Sequence, residues 1–204
     1  MKVMDGDARL NFPATERNGK HIIRVLDDFI PNEGIALEIG SGSGEHVCAF
    51  ASHFTDIDWV PSDPNPAHRA SIGAWIAYLG LSNVGTPLDL DVTASTWCFT
   101  GHATLLLSIN VIHIAPWEAT IGLFRGAAQI LEQDGILYMY GPYMLDGQHT
   151  APSNAAFDQN LRSRDSSWGI RDLSEITKVA GQFGLHYVDK FAMPANNYSV
   201  IFRR

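Results

Sequence analysis

The chain has 204 residues, of which 46% are hydrophobic and 18% are charged, and its formal net charge is −8. A chain of this length and composition is typical of one globular domain that buries a large core. Binding to nucleic acid or to an anionic membrane surface requires cationic side chains that neutralise phosphate groups. From the length we expect one domain over residues 1–204. Because the charge balance is acidic, we expect neither nucleic acid nor a membrane as partner.

Hydrophobic periodicity predicts alternating helices and strands. Residues 1–30 form an N-terminal arm, irregular over residues 1–16, and a first helix. The predicted helices cover residues 17–29, 45–54, 67–79, 117–131, 153–162 and 172–183, and the predicted strands cover residues 35–39, 57–61, 84–88, 104–109, 136–140, 185–192 and 197–202. This alternation is typical of an α/β fold with a mostly parallel sheet, here of six or seven strands. A polar, lid-like insertion over residues 141–170 breaks the rhythm.

The end of the chain predicts a different strand arrangement. Only residues 193–196 separate the last two predicted strands. A connection this short allows an antiparallel pair but not a parallel crossover. The mostly parallel sheet is therefore expected to end in an antiparallel C-terminal hairpin.

Cysteine usage and the N-terminal sequence indicate the compartment. Cys48 and Cys98 form no disulfide framework and no zinc-binding spacing, although a single disulfide stays open. The N-terminus lacks the apolar run of a secretory signal, and no apolar stretch approaches the ~20 residues of a membrane helix. We expect a cytoplasmic protein. The histidines show no metal-ligand spacing, so no metal is expected.

A glycine-rich loop follows the first predicted strand and opens a helix. Its sequence, Glu38-Ile39-Gly40-Ser41-Gly42-Ser43-Gly44, lets the backbone turn sharply and approach a ligand closely. The loop lacks the lysine of a P-loop and the central serine of a nucleophile elbow, and its third glycine comes too early for the dinucleotide fingerprint. Glu38 would repel a pyrophosphate but could hold a cationic or amino-bearing ligand. A tight turn without a ligand is the alternative interpretation.

An acid followed by Gly-x-Gly-x-Gly resembles the first motif of the class I S-adenosylmethionine-dependent methyltransferases. Asp63, after the second strand, lies where that family places an acid on the ribose hydroxyls, although it could instead cap the next helix. Asp91 and Val92 lie in a segment that resembles the adenine-binding segment, where Asp89 competes with Asp91 for one role. The resemblance implies cofactor contacts at Glu38, Gly40, Ser41, Gly42, Gly44, Asp63, Pro64, Asn65, Asp91, Val92 and Asn110.

The same resemblance implies a fold and a cofactor. The fold is a three-layer Rossmann-like methyltransferase sandwich with a seven-stranded, mostly parallel sheet. Its terminal antiparallel hairpin distinguishes this fold from that of nicotinamide-binding Rossmann domains. The cofactor is S-adenosyl-L-methionine, with S-adenosyl-L-homocysteine as its product. A narrower resemblance, to a small methyltransferase-like family catalogued as a domain of unknown function, covers nearly the whole chain. It is carried by Arg17-Asn18, Trp59-x-Pro61-Ser62-Asp63, Asn110-x-x-His113-Ile114-x-Pro116-Trp117, Gly141-Pro142-Tyr143, Pro152-Ser153-Asn154, Phe157-Asp158, Trp168-Gly169-Ile170-Arg171-Asp172 and Met193-Pro194-Ala195-Asn196-Asn197.

Residues for catalysis and for the acceptor are expected beyond the carboxyl ends of the fourth and fifth strands, where ligands of open α/β sheets lie. His113 is predicted to assist as a base, with a structural hydrogen-bonding role as the alternative, and Tyr140 is a second catalytic candidate. Predicted acceptor contacts come from the first helix, the region after the fourth strand and the lid. They are Arg17, Asn18, Trp117, Tyr143, Asn154, Arg162 and Trp168.

The expected function is methyl transfer to a small-molecule acceptor, achieved mainly by aligning acceptor and cofactor. Arg162, Arg164 and Arg171 alternate with aromatic residues in and after the lid, which favours a small, partly aromatic or anionic acceptor. The alternative is that these arginines only balance neighbouring acids on the surface. Two other functions stay open, namely a catalytically silent cofactor-binding module that acts through a partner protein, and a nicotinamide oxidoreductase. Nothing in the sequence indicates an oligomeric state.

Overall fold

A central sheet with helices on both faces organises the chain, and the computed structural model describes residues 2–3 and 8–204. The strands are β1 (Lys2–Val3), β2 (Leu10–Asn11), β3 (Gly34–Ile39), β4 (Ile57–Ser62), β5 (Ala103–Ile109), β6 (Leu131–Gly141), β7 (Tyr143–Leu145), β8 (Gln148–His149), β9 (Arg171–Asp172), β10 (His186–Met193) and β11 (Asn197–Arg203). The helices are α1 (Pro13–Leu26), α2 (Glu45–His53), α3 (Pro66–Leu79), α4 (Trp117–Ile130), α5 (Pro152–Arg164) and α6 (Leu173–Gln182).

The central sheet has six strands in the order β10-β11-β6-β5-β3-β4. β4, β3, β5 and β6 are parallel neighbours, whereas β11 is antiparallel to both β6 and β10. The mostly parallel sheet with an antiparallel C-terminal hairpin is thus confirmed. The chain leaves β3 toward β4 on one side and returns to β5 on the other, so the strand order switches between β3 and β5. Ligands of such sheets bind beyond the carboxyl ends of the strands at this switch.

The predicted strand over residues 84–88 does not form, so the prediction of seven strands was wrong by one. Only two isolated bridges join this segment to β4, between Trp59 and Val84 and between Ser62 and Leu88. The physical reason is a loss of hydrogen-bond donors. Pro61 in β4 and Pro87 in the facing segment have no backbone N–H, so the ladder breaks between the two bridges.

Two apolar cores lie on opposite faces of the sheet. One core holds side chains of α4 and α6, and the other holds side chains of α1, α2 and α3. Leu37 and Ile39 of β3 belong to the first core and Ala36 belongs to the second. Because successive side chains of a strand point to opposite faces, Glu38 points with Ala36 toward α1, α2 and α3. A charged residue type therefore occupies a position in the second core.

The lid-like insertion is more regular than the sequence predicts. Its one expected helix is confirmed as α5, and β7, β8 and β9 form a separate three-stranded sheet that the sequence did not indicate. Strands of two or three residues are too short to show an alternating pattern, which explains the omission.

The N-terminal arm packs against the helices of the second core. The backbone N–H of Leu10 donates to Oγ of Ser71 at 2.8 Å, and the indole N–H of Trp75 donates to the carbonyl of Leu10 at 2.9 Å. α1 starts at Pro13, earlier than predicted, because proline suits the first turn of a helix. The remainder of the predicted irregular arm, residues 1 and 4–7, lies outside the described residues.

Two further expectations concern cysteines and membranes. Cys48 is buried and Cys98 is exposed, and both are free thiols. Over residues 2–3 and 8–204, no helix combines the length and the hydropathy that crossing a bilayer would require.

The contact between α4 and residues 92–93 gives a test of this packing. A Cβ atom on Gly122 would overlap the carbonyl oxygen of Val92. We expect Gly122→Ala to lower the free energy of unfolding by about 1–3 kcal/mol, the usual cost of overpacking. Gly73 in α3 has no atom within 4 Å of its Cβ position. As the matched control, Gly73→Ala should raise stability by about 0.5–1 kcal/mol, because alanine has the higher helix propensity.

Denaturant unfolding at constant pH measures both variants against the wild-type chain. A Gly122→Ala protein as stable as the wild type would contradict this close approach of α4 to the backbone at Val92.

Candidate functional site

The carboxyl ends of β3, β4, β5 and β6 bring the predicted cofactor segments together. The backbone N–H of Gly42 donates to Oδ2 of Asp63 at 3.0 Å, which joins the loop after β3 to the residue after β4. The backbone N–H of Asn110, after β5, donates to the carbonyl of Tyr140 in β6 at 2.8 Å. Four strand ends therefore form one continuous edge.

The glycine loop adopts a backbone that other residues rarely adopt. Gly40, Gly42 and Gly44 have φ angles of 67°, 57° and 91°, all in the left-handed region. The Ser41 N–H donates to the carbonyl of Ser62 at 2.8 Å. The loop conformation is thus held by hydrogen bonds to the end of β4.

Asp63 belongs to this loop rather than to a helix cap. Its Oδ1 accepts the backbone N–H of Asn65 at 2.9 Å, and its Oδ2 lies 3.1 Å from Nδ1 of His68. The cap of α3 is Asn65, whose side chain accepts the N–H of Ala67 at 2.9 Å. The alternative in which Asp63 caps this helix is therefore wrong. Pro64 and Asn65 are exposed beside it.

The two acids of the predicted adenine segment have different partners. Asp89 forms an ion pair with Arg69 at 3.0 Å, and Arg69 also donates to the carbonyl of Asp63 at 2.8 Å. Asp91 accepts hydrogen bonds from the N–H and the hydroxyl of Thr93 at 2.8 and 2.7 Å. Val92 packs against the core that contains α4. Both acids remain candidates for an adenine contact.

Glu38 is an acidic residue in an unusually buried position. Its side chain is buried, with 1% exposure, and Oε2 has no hydrogen-bond partner in the described part of the chain. Burial raises the pKa of this carboxyl to about 7, the charge of Asp63 adds to the rise, and a hydrogen bond from Ser41 opposes it. A buried carboxyl with an unused acceptor atom is suited to a cationic donor.

His113 lies on a single-turn 3-10 helix, Val111–His113, and packs against the backbone of Gly141. Its ring is fully buried and meets the ring of Tyr143 edge-on at 5.0 Å. Burial, reinforced by the positive charge of Arg171, lowers the pKa of His113 to about 3. The imidazole is therefore neutral at physiological pH, and this pKa is poorly matched to a general base at neutral pH.

Tyr140 and Tyr143 both have buried hydroxyls without a hydrogen-bond partner among the described residues. Burial raises the pKa of Tyr140 to about 12, although the nearby side-chain amide of Asn197 and the positive charge of Arg17 oppose the rise. Burial also raises the pKa of Tyr143. Both phenols consequently stay protonated and act as hydrogen-bond donors at neutral pH. Arg17 is exposed and Asn18 half-buried in the N-terminal half of α1.

The three arginines expected to attract an anionic acceptor are bound within the protein. Nε of Arg162 donates to Oδ2 of Asp158 at 2.8 Å, and the guanidinium of Arg164 lies 5.1 Å from the ring centre of Trp168. Arg171 donates to the carbonyls of Ile112, Ala115 and Ser167 at 3.0, 2.6 and 2.9 Å. Only Arg162 pairs with an acid, as the alternative of surface charge balance predicts, whereas Arg164 contacts an aromatic ring and Arg171 binds backbone carbonyls.

Other lid residues also have structural contacts. The buried amide of Asn154 donates to the hydroxyl of Thr150 at 3.0 Å and to the carbonyl of Asn196 at 2.9 Å. The ring of Trp117 lies 5.6 Å from the guanidinium of Arg171. These contacts fix the lid to the turn between β10 and β11 and to the start of α4.

Two residues beside the site were missed. The N–H of Phe12 donates to Oε2 of Glu45 at 2.7 Å, its ring meets His68 edge-on at 5.9 Å, and it lies 3.1 Å from the Cβ position of Gly42. No local pattern places a residue of the arm on a loop distant in sequence. His68 is the other, and its position in the first turn of α3, five residues after Asp63, was the available signal.

Comparisons with known proteins agree on fold and family. A family model described as "Protein of unknown function (DUF938)" matches residues 9–204. The mitomycin 7-O-methyltransferase MmcR is similar with a TM-score of 0.73 and 20% identity, over 84% of this chain and 49% of that chain. An O-methyltransferase family protein from Burkholderia thailandensis is similar with a TM-score of 0.78 and 15% identity, over 91% of this chain and 56% of that chain.

A third structure, a candidate sarcosine dimethylglycine methyltransferase from Galdieria sulphuraria, is similar with a TM-score of 0.75 and 12% identity, over 97% of this chain and 92% of that chain. The chain spans about half the length of the first two proteins. At these identities the similarity shows the fold alone. The chain has the Rossmann-like fold of the class I methyltransferases.

The buried carboxyl of Glu38 predicts a pH-dependent stability. Between the ordinary pKa of 4.5 and about 7, the native state keeps a proton that the unfolded chain releases. The free energy of unfolding therefore falls as pH rises through this window. Glu38→Gln removes this loss, so its stability relative to wild type should increase by up to about 3 kcal/mol from about pH 4.5 to pH 8.

Denaturant unfolding across this pH range measures the difference. His46 and His113, whose pKa values burial lowers, contribute equally to wild type and variant and cancel. Glu132→Gln, at an exposed position of β6, is the matched control, and the pH-dependent gain is expected for Glu38→Gln alone. If the stability of Glu38→Gln relative to wild type does not change with pH, Glu38 is ionised normally.

Proposed function

Because the chain belongs to the DUF938 family of proteins of unknown function, and has a methyltransferase fold, we propose that it binds S-adenosyl-L-methionine and transfers a methyl group to a small acceptor. The observation that carries this proposal is the buried carboxyl of Glu38 beside the glycine loop, with one acceptor atom unused. The cofactor presents an ammonium group, which such an atom would bind well.

The residues present fit the other parts of this cofactor. A carboxylate offers about four acceptor positions, and Asp63 uses three of them, for Gly42, Asn65 and His68, so one remains for a ribose hydroxyl. The glycines allow the left-handed backbone of the loop, which lets side chains such as Val111 and Phe12 pack closely against it. The proposed contacts are Glu38, Gly40, Ser41, Gly42, Gly44, Asp63, Pro64, Asn65, Asp91, Val92 and Asn110.

When bound, the cofactor supplies a methyl group on a positively charged sulfur. The chain would then contribute orientation and exclusion of water rather than proton removal. His113 is buried with a pKa of about 3, and Tyr140 holds its proton with a pKa of about 12. Neither residue is suited to remove a proton at neutral pH. Positioning alone accounts for a large rate acceleration in reactions of this kind.

Because neither His113 nor Tyr140 is a suitable base, the protonation state of the acceptor atom is restricted. We infer that the methylated atom is already unprotonated at neutral pH, as in a weakly basic aromatic amine, a carboxylate or an acidic phenol. His113 then acts as a neutral wall, packed between Gly141 and Tyr143.

Calorimetric titration with S-adenosyl-L-homocysteine tests the cofactor. The wild-type chain should bind it, and Asp63→Asn should bind it about tenfold to a hundredfold more weakly, because a hydrogen bond to a charged group is lost. Asp58→Asn, at an exposed position of β4, the strand that leads to Asp63, is the matched control and should bind as the wild type does.

Two further measurements complete the test, namely binding of NADH and turnover of the methyl donor. NADH should not bind, since a buried acid at the loop disfavours a pyrophosphate. Release of S-adenosyl-L-homocysteine is then followed with mixtures of small amines, carboxylates and phenols. Binding of NADH instead of S-adenosyl-L-homocysteine would refute the proposed cofactor, and binding without any turnover would favour the silent module.

A further inference from the structure

A buried hydroxyl at the end of β6 has no partner within the protein. Tyr140 pairs with Ile109 on one side and with Ser199 on the other, and its side chain is 1% exposed. Its hydroxyl makes no hydrogen bond with any described residue. An unsatisfied buried donor costs about 1–3 kcal/mol, so its presence at a ligand-binding edge points to a ligand acceptor.

The β11 strand brings an amide to the same face. Asn197 precedes Ser199 by two residues, and alternate residues of a strand share a face. Asn197 is therefore the diagonal neighbour of Tyr140 at the carboxyl edge. One N–H of its side chain donates to the carbonyl of Pro194 at 3.0 Å, which leaves the second N–H for a ligand.

The first helix brings a positive charge to this place. The C-terminal end of α1 leads to the start of β3 at the amino edge of the sheet, so its N-terminal half, with Arg17, lies toward the carboxyl edge. Ile22 of α1 packs in the same core as Tyr140. The guanidinium of Arg17 makes no hydrogen bond or ion pair within residues 2–3 and 8–204, and its charge acts on the phenol of Tyr140.

The side chains of Arg17, Tyr140 and Asn197 all offer hydrogen-bond donors. A planar guanidinium binds a carboxylate through two parallel hydrogen bonds, which a phenol and an amide would complement. We propose that Arg17, Tyr140 and Asn197 form a carboxylate-binding site. The lid arginines are engaged elsewhere, so this site replaces them as the place where an anion is recognised.

This inference rests on the proposed function, and two carboxylates satisfy it. One is the carboxylate of the cofactor's amino-acid group, and the other is a carboxylate of the methyl acceptor. Both have the same chemistry, so the two sources are separated by ligands that contain or lack each group.

The variants are Tyr140→Phe, which removes only the hydroxyl, and Arg17→Gln. Arg24→Gln is the control, because Arg24 is exposed on the last turn of the same helix, away from the carboxyl edge. The probes are S-adenosyl-L-homocysteine and 5′-methylthioadenosine, which lacks the amino-acid group. On protein saturated with S-adenosyl-L-homocysteine, benzoate is compared with benzamide. Calorimetry measures each affinity, and circular dichroism checks that every variant is folded.

If the site holds the cofactor's carboxylate, Arg17→Gln and Tyr140→Phe each weaken S-adenosyl-L-homocysteine about tenfold or more and leave 5′-methylthioadenosine unchanged. If it holds the acceptor's carboxylate, they leave both nucleosides unchanged and remove the preference for benzoate over benzamide. Two results overturn the inference, each with nucleoside affinities that are unchanged in the variants. Either the variants bind benzoate as the wild type does, or the wild type binds no benzoate. Failure of the wild type to bind either nucleoside refutes the proposed function instead.

Discussion

Placing a carboxyl group in the second core is the constraint on which the site depends. Glu38 occupies a core position of β3, between Leu37 and Ile39, and its burial strongly disfavours the charged form. Asp63 follows the neighbouring strand and adds a second negative charge beside the same loop. Two acids held this close are stabilised by a proton on one of them or by a cation between them. The fold therefore places two acids where a cationic ligand would compensate their negative charge.

The surroundings of these acids come from parts of the chain that are distant in sequence. Phe12 lies over the glycine loop and is held by Glu45 at the start of α2. On the other side, Arg171 ties the segment after α5 to the carbonyls of Ile112 and Ala115 after β5. The insertion over residues 141–170 is thus a folded part of the wall, with its own small sheet. Arg171, which directly follows the insertion, anchors this wall, and the proposed carboxylate site lies at the end of β6 instead.

The features predictable from sequence were those that a local pattern encodes. Alternating helices and strands indicated the parallel sheet, and the short final connection indicated the antiparallel hairpin. The glycine loop joins β3 to α2, as its sequence predicted. The prediction of an extra strand at residues 84–88 was based on apolar content and was wrong. Pro61 and Pro87 lack the backbone N–H donors that pairing with β4 needs.

Side-chain partners were not predictable, because they depend on three-dimensional contacts. Arg162 finds Asp158 one helical turn away, whereas Arg171 finds carbonyls far along the chain. The pKa of His113 depends on complete burial beside Arg171, which spacing alone does not reveal. For the same reason the unsatisfied hydroxyl of Tyr140 became visible only with the structure.

The titration of Glu38 itself tests the central claim most directly. Carbon-13 NMR of the side-chain carboxyl, assigned by comparison with Glu38→Gln, gives its pKa with and without S-adenosyl-L-homocysteine. The account predicts a pKa of about 7 in the free protein, because the carboxyl is buried. Binding of the ammonium group should lower it by about one unit or more, since a nearby positive charge favours the carboxylate. A pKa near the ordinary 4.5 in the free protein, or no decrease on binding, would contradict the account.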